Sequence, residues 1–223
     1  MIEMKKINGF YYLGLMLLLS IFHSNTFAVE LNAPQKVIQE TSDLLYDIVK
    51  KDKDKLGNRE YIFNLVDNVI EPRVDLDKIS KLVLGKYWRS ASKQQKVQFQ
   101  KEFKGLLVNT YATAFTEFQD WTVHFLPMSL SVEDSRVIVK TEIIQASRPP
   151  ISVDYRMTLD NDGGWKAYDV IIEGISMVTN YKGSFATSIK NSGGLGNVIK
   201  ALAEKNEQSK TSSIATEDVQ ISS

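Results

Sequence analysis

The chain has 223 residues, of which 43% are apolar, so it can bury one globular core. Its 27 basic and 27 acidic side chains balance, which excludes a long-range electrostatic attraction to nucleic acid or to an anionic membrane. The sequence contains no cysteine, which excludes disulfides, a lipid-modified thiol anchor and a zinc site that uses thiolates.

The first 28 residues have the pattern of a cleaved signal peptide. Lys5 and Lys6 form a basic region, an apolar run of 13 residues extends from Phe10 to Phe22, and Thr26-Phe27-Ala28 offers small residues for cleavage. That run is too short to span a bilayer comfortably. We therefore predict an exported, soluble domain, and the composition leaves two destinations open, the periplasm or full secretion.

Three amphipathic helices are predicted after the signal. Apolar residues recur with a period of 3.6 from Val37 to Val49, from Ile62 to Ile70 and from Leu76 to Val83. Pro34 suits the first turn of the first helix, and Pro72 disfavours continuation of the second.

A fourth helix, which we expect to be the longest, begins at a capping-box pair formed by Ser92 and Gln95. Large apolar side chains dominate its predicted inner face. The residues of this face are Phe99, Phe103, Leu106, Leu107, Thr110, Tyr111, Ala114, Phe115 and Phe118.

The period then changes to two, which is typical of half-buried β-strands. Alternation predicts four antiparallel strands near residues 121–127, 137–143, 151–159 and 167–172, with one buried face. On the last strand we expect Tyr168, Val170 and Ile172 on one side and Ala167, Asp169 and Ile171 on the other.

Helical periodicity returns from Ile175 to Ile189, and Gly193-Gly194 separates it from a last helix that should end near Ala203. We predict a single domain over residues 29–205 and a disordered polar tail over residues 206–223. The order of helices, strands and helices indicates an α+β fold, with a four-stranded antiparallel sheet covered by about six helices.

The sequence offers little for catalysis. After the signal it contains one histidine, His124, which alternation places on the face opposite the apolar one, and no nucleophile motif accompanies it. Carboxylate chemistry is the remaining candidate, because Asp154 and Asp169 lie beside Tyr155 and Tyr168 on strands that could be neighbours. The alternative is that both carboxylates are solvated or paired with arginine.

The apolar stripes have two interpretations. They pack against each other as an ordinary core, as in a structural adaptor of the envelope, or they stand apart and enclose a cavity. Periodicity alone leaves both open.

Three blocks of residues resemble the MlaC family, also called toluene-tolerance auxiliary proteins. They are Leu82–Arg89 with the helix after Ser92, Arg148–Tyr155, and Gly164–Tyr181, which is the strongest match. The likeness extends from about Ala33 to Asn206. The family is periplasmic, so the resemblance favours the periplasm over full secretion.

The resemblance also implies a function. Members of the family ferry glycerophospholipids between an outer-membrane lipoprotein–porin complex and an inner-membrane ABC transporter with MCE-domain subunits, in the Mla pathway that maintains outer-membrane lipid asymmetry. It implies an apolar lipid cavity between helices and sheet, NTF2-like in general shape, with phospholipid as cargo, no cofactor, no metal and no catalytic residue. The chain is therefore predicted to be a carrier and not an enzyme.

We predict the lining of this cavity from strand alternation and helix period. The residues are Val83, Tyr87, Leu106, Tyr111, Val153, Tyr155, Tyr168, Val170, Ile172, Ile175 and Val178. A register error of one residue would move the strand residues to the wrong face.

Overall fold

The computed structural model describes residues 30–113, 120–146 and 148–221, with side chains described as far as Lys210. The predicted signal peptide, residues 1–28, lies outside these ranges, as do Ala114, Phe115 and Phe118. Within the described ranges, no helix has both the length and the apolar content to cross a bilayer.

The helices and strands follow the predicted order. The helices are α1 Ala33–Lys51, α2 Arg59–Leu65, α3 Leu76–Leu84, α4 Lys86–Ser90, α5 Lys93–Tyr111, α6 Met177–Asn191 and α7 Leu195–Ile221. Short 3-10 turns cover Lys53–Lys55 and Glu71–Arg73, and a π turn, Val66–Ile70, extends α2. The strands are β1 Trp121–Phe125, β2 Arg136–Gln145, β3 Ile151–Leu159, β4 Trp165–Ile172 and β5 Ile175–Ser176.

Side-chain caps set where several helices begin. The Ser92 hydroxyl accepts a hydrogen bond from the backbone N–H of Gln95 (3.1 Å), whose side chain accepts one from the N–H of Ser92 (3.0 Å). This capping box confirms the predicted start of α5. Asp75 caps α3 in the same way, through the N–H of Lys78 (2.9 Å). Gly85, with a φ of 53°, separates α3 from α4.

The five strands form one antiparallel sheet in the order β1-β2-β3-β4-β5. The α+β class is confirmed, while the fifth strand, two residues long, is an addition to the four that the sequence predicts. It was missed because two residues are too few to show alternation.

A β-bulge in β4 corrects the predicted alternation. Arg156 of β3 pairs with Asp169, but the next residue of β3, Met157, pairs with Ala167, so Tyr168 is an extra residue. Ala167 therefore joins the buried face beside Met157, and the prediction that placed it on the opposite side is wrong.

Helix α1 and the sheet form one core, the sheet core, in which Ile38 meets Val139, Met157 and Trp165. A second core, the aromatic core, lies between helices, where Phe99 and Phe103 of α5 pack against Phe185 and Ile189 of α6 and against α7. Phe99 stacks on Phe103 with 5.4 Å between ring centroids and meets the Phe185 ring edge-on at 5.1 Å.

Helix α7 corrects the expected length order and the expected helix end near Ala203. It continues to Ile221, so it is longer than α5. The domain boundary at residue 205 and the disorder of residues 206–223 stay predictions. Asn206 is buried, and its amide donates to the carbonyl oxygen (2.9 Å) and the carboxylate (2.8 Å) of Glu102. A Cβ on Gly105 would lie 2.6 Å from this amide, so the glycine makes room for it. Apolar periodicity could not predict this contact, because a polar side chain makes it.

Candidate functional site

An apolar hollow of about 340 Å³ lies between helices α3, α5 and α6, the turns after α2, and the second half of β4. Its lining comprises Val66, Ile70, Glu71, Val74, Leu76, Ile79, Val83, Phe103, Lys104, Leu107, Val108, Tyr111, Ala167, Asp169, Val170, Ile172, Met177, Val178 and Tyr181. The volume falls at the lower end of the range for ligand pockets, roughly 300 to 1,000 Å³.

The hollow exists because the same helices are filled at one end only. Along one face of α5, Phe99 and Phe103 belong to the aromatic core, whereas Leu107 and Tyr111 line the hollow. Helix α6 follows the opposite order, with Val178 lining the hollow and the later turns in the core. The bulky rings hold the helices in place, and at the other end the large side chains of the described lining, Tyr111 and Tyr181, stand around the hollow.

The three charged residues of the lining are held by protein partners. The Lys104 ammonium group lies 2.8 Å from Glu71 and 3.0 Å from Asp67. Burial alone would lower the pKa of Lys104, but the hydrogen bonds to these two carboxylates outweigh burial and raise it.

Asp169 is the third charged residue, and its side chain is almost completely buried. It accepts hydrogen bonds from the Ser176 hydroxyl (2.7 Å) and the backbone N–H of Val178 (3.0 Å), and it pairs with Arg156 at 3.1 Å. The carboxylate thus satisfies the first turn of α6 and attaches that helix to the bulge of β4.

Two tyrosines supply the neutral polar groups of the lining. The Tyr181 ring packs edge-on against Phe103, with 5.2 Å between centroids, and burial and a hydrogen bond to Tyr111 raise the pKa of Tyr181. The Tyr111 hydroxyl donates to the sulfur of Met177 at 3.8 Å. Tyr111 is 40% exposed, so this pair lies where the hollow meets solvent.

The structure brings five of the eleven predicted lining residues together around the hollow: Val83, Tyr111, Val170, Ile172 and Val178. The other six lie outside this lining. Tyr87 and Leu106 pack against the aromatic core, Tyr155 packs against the sheet core, Val153 is buried in the sheet, and Ile175 is 62% exposed. Tyr168, displaced by the bulge, has the Lys78 ammonium group 4.2 Å from its ring centre. Contact between lipid and any of the eleven stays a prediction.

Sequence reasoning missed the wall formed by Val66, Ile70 and Val74. The apolar periodicity of Val66 and Ile70 was visible, but a π turn rotates this stretch relative to a regular helix. Val74 lay outside the predicted stripes, and it pairs with Ala167 in a parallel bridge. Leu76 and Ile79 were recognised as an apolar stripe, and the face to which they pack depends on tertiary contacts.

The predicted acid–base residues are not arranged as a catalytic pair. Asp169 is held by Arg156, which is the pairing that the sequence offered as an alternative. Burial raises the pKa of Tyr155 to about 12, so this phenol keeps its proton at neutral pH. His124 is exposed on the outer face, 3.1 Å from Glu142. The described residues contain no cluster of carboxylate and imidazole groups able to hold a metal ion.

A family model described as MlaC protein matches residues 39–204 of the chain. The chain belongs to the MlaC family. It is 27% identical, over 94% of its length and 95% of the relative's, to the intermembrane phospholipid transport system binding protein MlaC of Haemophilus influenzae. It is 30% identical to the toluene tolerance protein ttg2D of Pseudomonas putida, over 81% of this chain and 83% of that protein.

A solved MlaC-like structure supports the fold. The phospholipid-binding protein from Ralstonia solanacearum, determined in complex with a phospholipid, matches with a TM-score of 0.74 and 32% identity. The match covers 80% of this chain and 99% of that one. The predicted family is therefore confirmed, and the helix and strand arrangement described above is that of the MlaC fold.

Proposed function

We propose that this MlaC-family chain is a periplasmic carrier that binds the acyl chains of a glycerophospholipid. In this proposal it shuttles the lipid between an outer-membrane lipoprotein–porin complex and an inner-membrane ABC transporter with MCE-domain subunits. The observation that carries the proposal is the apolar hollow, whose three charged residues are all held by protein partners. A lining without a free charge suits hydrocarbon and disfavours a charged substrate.

The energetics of acyl burial determine how such a carrier works. Each buried methylene stabilises by about 0.8 kcal/mol, so two chains of about fourteen methylenes represent on the order of 20 kcal/mol relative to water. Release into water is then negligibly slow. Loading and unloading take place while the carrier is docked to a membrane complex, through contacts weak enough to break afterwards.

The present volume is small for two acyl chains, so we expect the walls to separate on loading. The wall formed by the π turn and Glu71–Arg73 is joined to α5 at the hollow by the Lys104 ion pairs, which are partly exposed. Partly exposed ion pairs contribute little energy and break readily. An adaptor with a filled core, the alternative raised from the sequence, is not favoured by this hollow.

No observation favours the acid–base enzyme that the sequence left open. Its central carboxylate, Asp169, has both oxygens engaged in attaching α6 to the sheet. We assign no catalytic residue.

Native mass spectrometry of protein purified from cells without detergent tests the proposal. We expect a mass increase equal to that of a diacyl phospholipid. An apo mass in every gentle preparation would contradict the carrier function.

Charged variants test the location of the cargo. Ile172→Glu and Val170→Glu place a carboxylate in the lining, where it has no partner, so we expect bound lipid to fall at least tenfold while the protein stays folded. The matched control is Ile138→Glu, because Ile138 is 44% exposed on β2 outside the lining. Equal lipid content in all three variants and the unmodified protein would show that the cargo lies elsewhere.

A further inference from the structure

Tyr111 and Tyr181, where the hollow meets solvent, give its lining hydrogen-bonding groups that a pocket for acyl chains does not need. Acyl chains need only apolar walls, and Tyr111 and Tyr181 bring two phenol hydroxyls to the lining. Along α5, Tyr111 lies seven residues after Lys104, which corresponds to roughly 10 Å along the helix axis. The cation of the described lining, Lys104, therefore lies apart from the tyrosines, and the one charge near them, Asp169, is held by Arg156 and the first turn of α6.

Tyr181 is held rigidly by its neighbours. Its ring packs edge-on against Phe103 and lies 6.2 Å from the Phe185 ring centre, so the aromatic core fixes the direction of its hydroxyl. Burial and the hydrogen bond to Tyr111 raise the pKa of this phenol, so it stays protonated across the physiological range. Since Tyr111 gives its own hydrogen to Met177, Tyr181 is the donor to the Tyr111 oxygen and holds that hydroxyl in place.

The Tyr111 hydroxyl has a weak acceptor. Its 3.8 Å contact is with the thioether sulfur of Met177, and thioethers accept hydrogen bonds poorly. A carbonyl oxygen that entered beside Met177 would be a stronger acceptor for the same O–H. Because exchanging the thioether for a carbonyl breaks no strong bond, the donor is available to a ligand.

Resting on the proposed function, we propose that Tyr111 and Tyr181 form an ester-binding site that holds the acyl-ester carbonyls of a glycerolipid at the mouth of the hollow. An ester has oxygen acceptors, no donor and no charge, so its carbonyl complements the neutral O–H of Tyr111, which Tyr181 holds in place. A phosphate would be served better by cations, and Lys104, the cation of the described lining, is paired apart from the tyrosines. The site therefore distinguishes diacyl lipids from dialkyl ethers, which lack these carbonyls.

A competition between ester and ether lipids tests this site. Delipidated mature protein is incubated with vesicles that contain equal amounts of a diacyl and a dialkyl phosphatidylglycerol of the same chain length, and the bound lipids are quantified by native mass spectrometry. One net hydrogen bond corresponds to a preference of about threefold to tenfold for the diacyl lipid. We expect that preference in the unmodified protein and a ratio near one in the Tyr111→Phe/Tyr181→Phe variant.

Tyr46→Phe is the matched control, since Tyr46 meets the Trp121 ring edge-on outside the lining. It should keep the preference of the unmodified protein. If the double variant is unstable, Tyr111→Phe alone, at a partly exposed position, should still reduce the ratio. Equal binding of both lipids by the unmodified protein, including binding through phosphate alone, would overturn the ester site and leave the carrier function standing. Binding of neither lipid would overturn both.

Discussion

The two ends of the helix pair α5 and α6 differ in how completely their apolar side chains fill the space between the helices. At one end Phe99 stacks on Phe103 and meets the Phe185 ring edge-on, and the three rings form a filled core. At the other end Leu107 and Tyr111 line the hollow. Both ends present apolar side chains with the same helical period. The difference arises because aromatic rings fill the space at one end, while Asp169 attaches the other end of α6 to the sheet edge.

The largest expected effect comes from removing a ring at the filled end. Phe99 is fully buried, so Phe99→Ala should lower the free energy of unfolding by about 3 to 5 kcal/mol, through lost burial and the cavity that remains. Leu107→Ala, at the hollow, should cost less than about 2 kcal/mol because its neighbours are already incomplete on one side. Urea denaturation of both variants measures the contrast. Equal losses would mean that the two ends are packed alike.

An intermediate effect is expected from the polar attachment of α6. Asp169→Ala removes the acceptor of the Ser176 hydroxyl and the Val178 N–H and the partner of Arg156, so we expect a loss of about 2 to 3 kcal/mol. Asp154→Ala, on the neighbouring strand, should change the free energy of unfolding by less than about 0.5 kcal/mol. Thermal denaturation of the two variants side by side measures this difference. If Asp169→Ala left the free energy of unfolding unchanged, packing alone would position α6.

The smallest effect concerns the ion pairs of Lys104. Lys104→Met should cost less than about 1 kcal/mol at pH 7, because both carboxylate partners are partly exposed. Since the folded pKa of Lys104 is raised, the contribution is fully present below the unfolded pKa of about 10.4 and is lost as the pH rises through the higher folded value. Unfolding free energies at pH 7 and pH 11 check this sign. A variant whose deficit grows at high pH would contradict it.

Local signals in the sequence predicted much of the fold. The capping pair at Ser92 and Gln95, and the alternation through Val139 and Val153, are short-range patterns that tertiary contacts did not override. The bulge at Tyr168 was not predictable from a period of two, because it depends on the register between two strands.

The hollow was predictable only in part for a similar reason. Val170, Ile172 and Val178 line the hollow, since they follow the bulge and keep their alternation or helical period, and their contact with lipid stays a prediction. The π turn at Val66–Ile70 changes which side chains face inward, and no residue type marks it. In α7, Asn206 shows that a polar side chain can attach a helix to its neighbour, here through hydrogen bonds to Glu102.

The hollow also has a consequence for how the protein responds to pressure. Unfolding eliminates internal void, so hydrostatic pressure favours the unfolded chain in proportion to the empty space it removes. The hollow measures about 340 Å³, and a ligand that filled it would remove that void. Under the proposed function the lipid-free protein would therefore be the more compressible form, and each delivery would return it to the state that pressure unfolds more easily.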